Sequence, residues 1–226
     1  MVIWLASYPR SGNWLTRLAF WHFFHFPTAT IYNNPVGKGQ IAALAGEVPN
    51  TSIEVLDTRS EPYIVKTHDF PRPDDYPAIY LVRDGRDALV SYAHYILDTE
   101  LQVAERSYPN EFLRVLREII TSKDQFGGWG PHVLAWMQRK PPTATIRFED
   151  LVADPPAAIE QAMVALGKGA PIRCGESMPT FEYLHSEFPV LFRKGKIGAW
   201  RDEMPDDLHE LFWEHHREAM VQLKYE

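Results

Sequence analysis

Short apolar runs alternate with longer segments of helical composition along this chain. Strands are predicted at residues 2–7, 63–66, 78–82 and 143–147, because runs rich in β-branched and aromatic residues fit a buried sheet. Helices are predicted at residues 13–26, 86–98, 111–122, 131–138, 156–166, 180–187 and 205–223. Residues 28–50 are weakly patterned and are predicted to form an irregular loop with room for one short helix. The alternation predicts a three-layer α/β fold, with a mostly parallel central sheet and helices on both faces.

Composition narrows the class of protein. A chain of 226 residues with 45% hydrophobic and 13% aromatic residues predicts one packed domain over residues 1–226. A net charge of −7 argues against a general nucleic-acid binder. The single cysteine, Cys174, excludes an internal disulfide and fits a reducing cytosol. No signal peptide or membrane-spanning run is recognisable, so a cytoplasmic protein without a membrane partner is expected.

The turn after the first predicted strand reads Tyr-Pro-Arg-Ser-Gly-Asn at residues 8–13. A strand, a tight turn and a helix together point backbone N–H groups and a helix N-terminus at one spot, which commonly holds a phosphate. Arg10 adds a positive charge there. The nucleotide-triphosphate loop needs two glycines and Lys-Ser/Thr, whereas this turn has one glycine followed by Asn13 and Trp14. The turn is therefore either a different phosphate cradle or a strand–helix junction with an incidental arginine.

A second strand, basic turn and helix follow at residues 78–91. An arginine fork at Arg83 and the hydroxyl of Ser91, two helical turns later, can together hold a phosphate. Asp84 and Asp87 are interpreted as N-terminal helix caps. A third basic segment, residues 193–198, has two glycines among three cations and is interpreted as a mobile loop that closes over a ligand. Two cradles and a basic loop indicate a ligand with two separate phosphate groups.

A cation and an imidazole follow the second predicted strand. Lys66 and His68 lie where ligands bind in parallel sheets, beyond the carboxyl ends of the strands. His68 can act as a general base because the pKa of histidine lies near physiological pH. The alternative is a histidine whose ring only satisfies a loop carbonyl.

These segments together resemble the sulfotransferases that use 3′-phosphoadenosine-5′-phosphosulfate (PAPS). Residues 8–12 resemble their 5′-phosphosulfate loop, residues 82–92 their 3′-phosphate motif, and residues 65–68 the segment that carries their catalytic histidine. Phe192-Arg193-Lys194-Gly195, followed by Gly198-Ala199-Trp200, resembles their C-terminal loop. The matches occur in family order from about residue 5 to residue 201.

The resemblance implies a P-loop-nucleotide-hydrolase-like sulfotransferase fold and transfer of a sulfuryl group from PAPS to a hydroxyl or an amine, leaving adenosine 3′,5′-bisphosphate (PAP). It implies an in-line transfer with His68 as the general base, in which Arg10 and Lys66 stabilise the developing negative charge. The implied cofactor-binding residues are Arg10, Ser11, Gly12, Asn13, Arg83, Ser91, Phe148, Thr180, Phe181, Arg193, Lys194 and Gly195. Positive groups can replace Mg²⁺, and no acidic pair suited to that metal is recognisable, so no metal is expected.

The chain departs from the family pattern at two places. Trp14 stands at a phosphate-binding threonine and Leu15 at an adenine-stacking tryptophan, so either Trp14 reaches the base or Phe148 and Phe181 alone stack on it. The family's dimer motif is not intact. Arg201 and Glu210 occupy its ends, but Pro-Asp at 205–206 replaces its central Thr-Val, which leaves the oligomeric state open.

The acceptor is expected to be a small molecule whose class the sequence leaves open. Candidate acceptor-binding residues are Trp21, Phe24, Tyr32, His94, Tyr95, Trp129 and His132, and core packing is the alternative role for the aromatic ones. Two alternative functions are a nucleotide-type kinase on a related fold and a non-catalytic binder of phosphoadenosine nucleotides. Missing Lys-Ser/Thr argues against the kinase, and Lys66 with His68 argues against the pure binder.

Overall fold

A computed structural model describes residues 1–32, 39–49, 51–101 and 107–225. In these ranges the strands are β1 Val2–Ser7, β2 Thr28–Thr30, β3 Tyr63–Thr67, β4 Ala78–Val82 and β5 Thr143–Arg147. The α-helices are α1 Asn13–Phe24, α2 Gly39–Leu44, α3 Ile53–Asp57, α4 Gly85–Ile96, α5 Tyr108–Ile120, α6 Trp129–Met137, α7 Phe148–Ala153, α8 Pro155–Ala165, α9 Phe181–Glu187 and α10 Asp206–Gln222. A π-helical turn, Leu97–Leu101, follows α4, and a 3₁₀ turn, Ala199–Asp202, precedes α10. None of these described helices combines the length and hydropathy needed to cross a bilayer.

The five strands form one sheet in the order β2-β3-β1-β4-β5, and all four pairings are parallel. Every residue of β1, β3 and β4 is buried. Because successive side chains of a strand point to opposite faces, both faces of the central strands are covered. The prediction of an α/β fold with a mostly parallel sheet is confirmed.

The described chain divides into two compact units. Unit 1 comprises Met1–Ser7, Ser11–Val82 and Trp136–Pro179, and unit 2 comprises Tyr8–Arg10, Arg83–Ala135 and Thr180–Glu226. Unit 1 contains the sheet, and its core joins apolar residues of β1, β3, β4 and β5 to those of α1 and α8. In unit 2, Trp129 packs on Phe212 of α10 with ring centroids 6.0 Å apart. A single domain over residues 1–226 stays a prediction.

The predicted strands agree closely with the structure. β1, β4 and β5 have the predicted bounds, and β3 extends one residue further, to Thr67. The prediction of an irregular loop at residues 28–50 is wrong where β2 forms. This strand pairs with β3 through Thr28↔Ile64, Ala29↔Val65 and Thr30↔Lys66. Three residues are too few to show a period of two, so only the partner strand defines β2. The short helix expected there is α2, whereas α3 and α7 have no predicted counterpart.

The two acidic residues at the start of α4 have different roles. Asp84 caps the helix as predicted, since its carboxylate accepts the Arg86 N–H at 2.9 Å and also holds the Arg86 guanidinium. The capping role of Asp87 is wrong. Its carboxylate accepts the N–H groups of Gly198 and Trp200, at 2.7 and 3.0 Å, because the 3₁₀ turn brings these unsatisfied donors to it.

Candidate active site

In unit 1, the ends of two neighbouring strands bring Ser7 and His68 together. The parallel register pairs Ala6 with Thr67, so the next residues along the two segments, Ser7 and His68, lie side by side. His68 Nδ1 lies 2.7 Å from the carbonyl oxygen of Ser7 and 3.2 Å from Ser7 Oγ. The His68 ring therefore contacts a main-chain carbonyl, which was the alternative to a catalytic role. This contact lies at the carboxyl ends of the strands, where ligands of parallel sheets bind.

Lys66 and Tyr32 lie next to His68 in the same unit. Lys66 lies in β3, two residues before His68. Lys66 Nζ lies 4.8 Å from the centre of the Tyr32 ring. The Tyr32 hydroxyl accepts the His68 main-chain N–H at 2.7 Å and donates to Asp69 at 2.8 Å. Burial raises the pKa of Tyr32 to about 12, so this hydroxyl stays protonated and remains a donor.

The turn that enters α1 leaves polar atoms for a ligand. Gly12 has φ of +97°, a left-handed conformation that L side chains rarely adopt. Ser11 Oγ and Asn13 Oδ1 are buried, and neither has a hydrogen-bond partner among the described residues. A buried polar atom without a partner is costly, so these two oxygens are available to accept hydrogen bonds from a ligand. Asn13 Nδ2 donates to Leu5 O and to Ser7 Oγ, at 3.3 and 3.2 Å.

In unit 2, the Arg10 guanidinium is held by four groups. Its Nε donates to Ser91 Oγ at 3.1 Å, and its Nη2 donates to the carbonyls of Val190 and Leu191 at 3.0 and 2.9 Å. Its Cζ lies 5.3 Å from the centre of the Tyr95 ring. Arg10 also has φ of +68°, which is unusual outside glycine and is a kind of strain found at functional sites.

Arg83 lies close to Arg10 in the same unit. Arg83 Nη1 donates to the carbonyl oxygen of Arg10 at 3.2 Å, and Nη2 donates to Lys196 O at 3.1 Å. Burial and the positive charge of Arg83 lower the pKa of Arg10 to about 10. Two neighbouring guanidinium groups in partly dry surroundings favour an anion between their charges. Arg10 thus contacts both Arg83 and Ser91, whereas the sequence analysis assigned Arg10 to one phosphate and Arg83 with Ser91 to the other.

Arg193 and Lys194 are held by an acidic residue that the sequence reasoning missed. Glu203 accepts both terminal nitrogens of Arg193, at 2.9 and 3.0 Å, and Lys194 Nζ at 2.9 Å. Its Oε2 also accepts His94 Nε2 at 2.7 Å. Burial opposes ionisation of Glu203, but the hydrogen bonds from His94 and Arg193 outweigh it and lower the pKa. No local pattern marks Glu203, because its partners lie 9 to 109 positions away.

The predicted adenine-stacking rings differ in exposure. Phe148 is buried in unit 1 against Gly12, where an added Cβ would lie 2.9 Å from the Phe148 ring. In unit 2, Phe181 is 40% exposed and lies against Gly195, where a Cβ would be 2.4 Å from its ring. Thr180 caps α9 by accepting the Tyr183 N–H at 3.3 Å.

Trp14 and Leu15, the departures from the family pattern, both pack within unit 1. The Arg17 guanidinium lies 4.4 Å from the centre of the Trp14 ring. Leu15 packs against the hydrophobic core. Leu15 is therefore partly engaged in core packing, and one face of Trp14 is covered by Arg17.

The structure separates the candidate acceptor-binding residues into two groups. Trp129 and His132 are fully buried and Phe24 is 5% exposed, so core packing accounts for all three. Trp21 packs on Gly46, and His94 bonds Glu203 and Tyr108. Tyr32 and Tyr95 are partly exposed and lie beside Lys66 and Arg10 respectively. These two tyrosines are the best-supported acceptor-binding candidates.

Comparison with known proteins assigns the family. The family model described as "Sulfotransferase domain" matches residues 2–224. The chain belongs to this sulfotransferase family. It is 25% identical to Sulfotransferase 1E1 of Mus musculus over 256 residues, covering 96% of this chain and 82% of that protein. It is 24% identical to Sulfotransferase 1B1 of Canis lupus familiaris, covering 88% and 76% of the two chains.

Solved structures have the same fold as this sulfotransferase. Mouse sulfotransferase SULT7A1 complexed with PAP is similar with a TM-score of 0.65 and 21% identity, covering 96% of this chain and 83% of that one. Retinol dehydratase in complex with androsterone and inactive cofactor PAP has a TM-score of 0.63 and 17% identity, covering 97% and 80%. The family resemblance, the fold class and the assignment as a sulfotransferase enzyme are confirmed. Within the described part of the sulfotransferase, no group of three or more His, Cys, Asp or Glu side chains is arranged to hold a metal ion.

Proposed function

We propose that this sulfotransferase transfers the sulfuryl group of PAPS to a hydroxyl or an amine of a small-molecule acceptor, with His68 as general base. The observation that carries the proposal is the cluster of Arg10, Arg83 and Ser91, in which burial and the positive charge of Arg83 lower the pKa of Arg10. Such a cluster favours an anionic ligand. Two similar proteins, mouse sulfotransferase SULT7A1 and retinol dehydratase, have been solved in complex with PAP, which agrees with a donor of this class.

The residues present fit such a donor. Ser11 Oγ lacks a partner among the described residues and is available to a phosphosulfate. Gly12 provides a left-handed backbone that lets main-chain N–H groups approach an anion. The residues that would hold the donor are Arg10, Ser11, Gly12 and Asn13 at the 5′ end, Arg83, Ser91, Arg193, Lys194 and Gly195 at the 3′-phosphate, and Trp14, Phe148, Thr180 and Phe181 around the adenine.

When bound, PAPS supplies the sulfuryl group and the bisphosphate that leaves. His68 accepts the proton of the acceptor hydroxyl, and a positioned base of this kind contributes roughly 10²- to 10⁴-fold in rate. Lys66 and Arg10 provide fixed positive charge where negative charge develops. Arginine holds its proton strongly, so Arg10 acts as an electrostatic clamp. Tyr32 and Tyr95, beside these two cations, are the proposed acceptor contacts.

Calorimetry tests the two-phosphate assignment. The protein should bind PAP tightly and AMP much more weakly, because AMP lacks the 3′-phosphate that Arg83 and Ser91 hold. Arg83→Ala should reduce the affinity for PAP and leave that for AMP nearly unchanged. Arg114→Ala is the matched control, because the ion pairs that Arg114 forms with Glu111 and Glu118 are exposed and lie within α5. Equal affinities of the wild type for PAP and AMP would refute the assignment.

Turnover with labelled PAPS and a panel of alcohols and amines tests the chemistry. His68→Ala should abolish turnover and leave the affinity for PAP nearly intact, whereas His215→Ala on the exposed face of α10 should change neither. A fully active His68→Ala variant removes His68 as the base. Turnover that requires ATP and Mg²⁺ would support the kinase, and PAP binding without any transfer would support the non-catalytic binder.

A further inference from the structure

We propose that Ser7 is a positioning residue for His68. Its main-chain carbonyl places the imidazole proton on Nδ1, and its hydroxyl connects His68 to Asn13 of the cofactor turn. This inference rests on the proposed role of His68 as the base. All three residues belong to unit 1.

The identity of the atoms determines which ring nitrogen carries the proton. A carbonyl oxygen can only accept a hydrogen bond, so the 2.7 Å contact between Ser7 O and His68 Nδ1 requires a proton on Nδ1. In the neutral ring the lone pair is then on Nε2. A general base needs a lone pair on the nitrogen that faces the acceptor, and the partner of the other nitrogen decides this. The carbonyl of Ser7 therefore prepares Nε2 for proton abstraction.

The sheet holds this carbonyl in a fixed position. Ser7 is the last residue of β1, is fully buried, and lies in register with Leu81 of β4. β1 is the central strand of the sheet, with β3 on its other side. The main chain of His68 is held as well, because its N–H donates to the Tyr32 hydroxyl at 2.7 Å. Both ends of the Ser7–His68 contact are thus supported by neighbouring elements, as a preorganised base requires.

The Asn13 side chain connects this arrangement to the cofactor turn. Asn13 is the first residue of α1, is 6% exposed, and reaches back to β1, where Nδ2 donates to Leu5 O and Ser7 Oγ. Ser7 Oγ in turn lies 3.2 Å from His68 Nδ1 and is a second, more distant acceptor for the same N–H group. A hydrogen-bond acceptor beside Nδ1 favours the protonated ring, so the hydroxyl stabilises the proton that His68 carries there. The turn that would hold the phosphosulfate is therefore linked to the base through two hydrogen bonds.

NMR of the ¹⁵N-labelled protein tests the tautomer without donor or acceptor. At a pH where His68 is neutral, its Nδ1 should have the chemical shift and attached proton of a protonated nitrogen, and Nε2 should not. His68→Ala assigns the resonances. A neutral His68 with its proton on Nε2 would overturn the proposal. Because no turnover is involved, this readout is independent of whether the protein transfers a sulfuryl group, which the His68→Ala turnover assay tests separately.

Ser7→Ala tests the hydroxyl, because it removes Oγ and keeps the carbonyl. Loss of one neutral hydrogen bond should lower kcat by about two- to tenfold. The acid limb of the pH profile of kcat/KM should shift to lower pH, and KM for PAPS should be unchanged. Ser7→Thr keeps the hydroxyl on a residue that strands favour and should retain the wild-type pH profile. A Ser7→Ala enzyme with wild-type kcat and pH profile would overturn the role of the hydroxyl.

Discussion

Gly12→Ala is the sharpest test of the turn that precedes α1. Gly12 has φ of +97°, and an added Cβ would lie 2.9 Å from Phe148 Cδ2 and 3.2 Å from Leu151 Cδ2. The left-handed conformation costs about 1–2 kcal/mol for a residue other than glycine. Overpacking adds about 1–3 kcal/mol, and the reduced entropy of the unfolded chain returns about 0.4–1 kcal/mol. The variant should therefore lose about 1–4.5 kcal/mol of its free energy of unfolding.

Urea unfolding followed by tryptophan fluorescence measures this loss. Gly39→Ala is the matched control, because no described atom lies within 4 Å of its added Cβ and its φ is not positive. The control should keep the free energy of unfolding within about 1 kcal/mol of the wild type. Gly12→Ala should also bind PAP more weakly than Gly39→Ala does, since the main chain of the turn must shift. Equal stability and equal PAP affinity of the two variants would refute the reasoning.

Three further predictions follow from unit 2. Glu203→Gln should tighten PAP binding by about two- to tenfold in calorimetry, because a neutral amide holds Arg193 and Lys194 less strongly than the carboxylate does, by about 0.5–1.5 kcal/mol, and so releases them for the 3′-phosphate. Weaker binding would mean that the carboxylate instead orients the arginine fork. Burial lowers the pKa of His216 from 6.5 to about 4. His216 therefore resists protonation in the folded state. Between pH 6.5 and pH 4, the free energy of unfolding of the wild type should fall by up to about 3 kcal/mol relative to that of His216→Gln. Denaturation of the wild type and both variants at several pH values measures this loss. The loss should be absent from His216→Gln and should persist in the control, His215→Gln. Phe181→Ala should weaken PAP binding by about 1–2 kcal/mol and leave the binding of inorganic sulfate unchanged, and equal affinity for PAP in variant and wild type would remove Phe181 from the adenine site.

Local sequence was sufficient for most of the sheet. The residues of β1, β4 and β5 form apolar or β-branched runs bounded by prolines or polar turns, and the structure reproduces their predicted bounds. β2 could not be found in this way, because its three residues have no periodicity and become a strand only by pairing with β3. Helix α7 was hidden for a related reason, since its six residues directly follow β5 without a turn signal.

Part of the candidate site was also predictable. The basic turns at residues 8–13 and 78–91 mark Arg10, Arg83 and Ser91 as ligand-binding candidates without any tertiary information. Glu203 could not be expected, because a carboxylate that neutralises Arg193 and Lys194 is recognisable only from distances. The burial of Trp129 and His132 could not be expected either, because aromatic composition does not distinguish a core ring from a ring that lines a site.

The sequence by itself determined the class of this protein. The motifs lie at residues 8–12, 65–68, 82–92 and 192–200. Their order and spacing can be read from the sequence, and they were sufficient to assign the sulfotransferase family and its α/β fold. Only the tertiary structure decided which atoms meet. The proton on His68 Nδ1 depends on the Ser7 carbonyl 61 positions away, and the orientation of the Arg193 guanidinium depends on its contact with Glu203. A hydrogen bond needs an acceptor within about 3 Å in a fixed direction, and strand register and helix packing supply that condition.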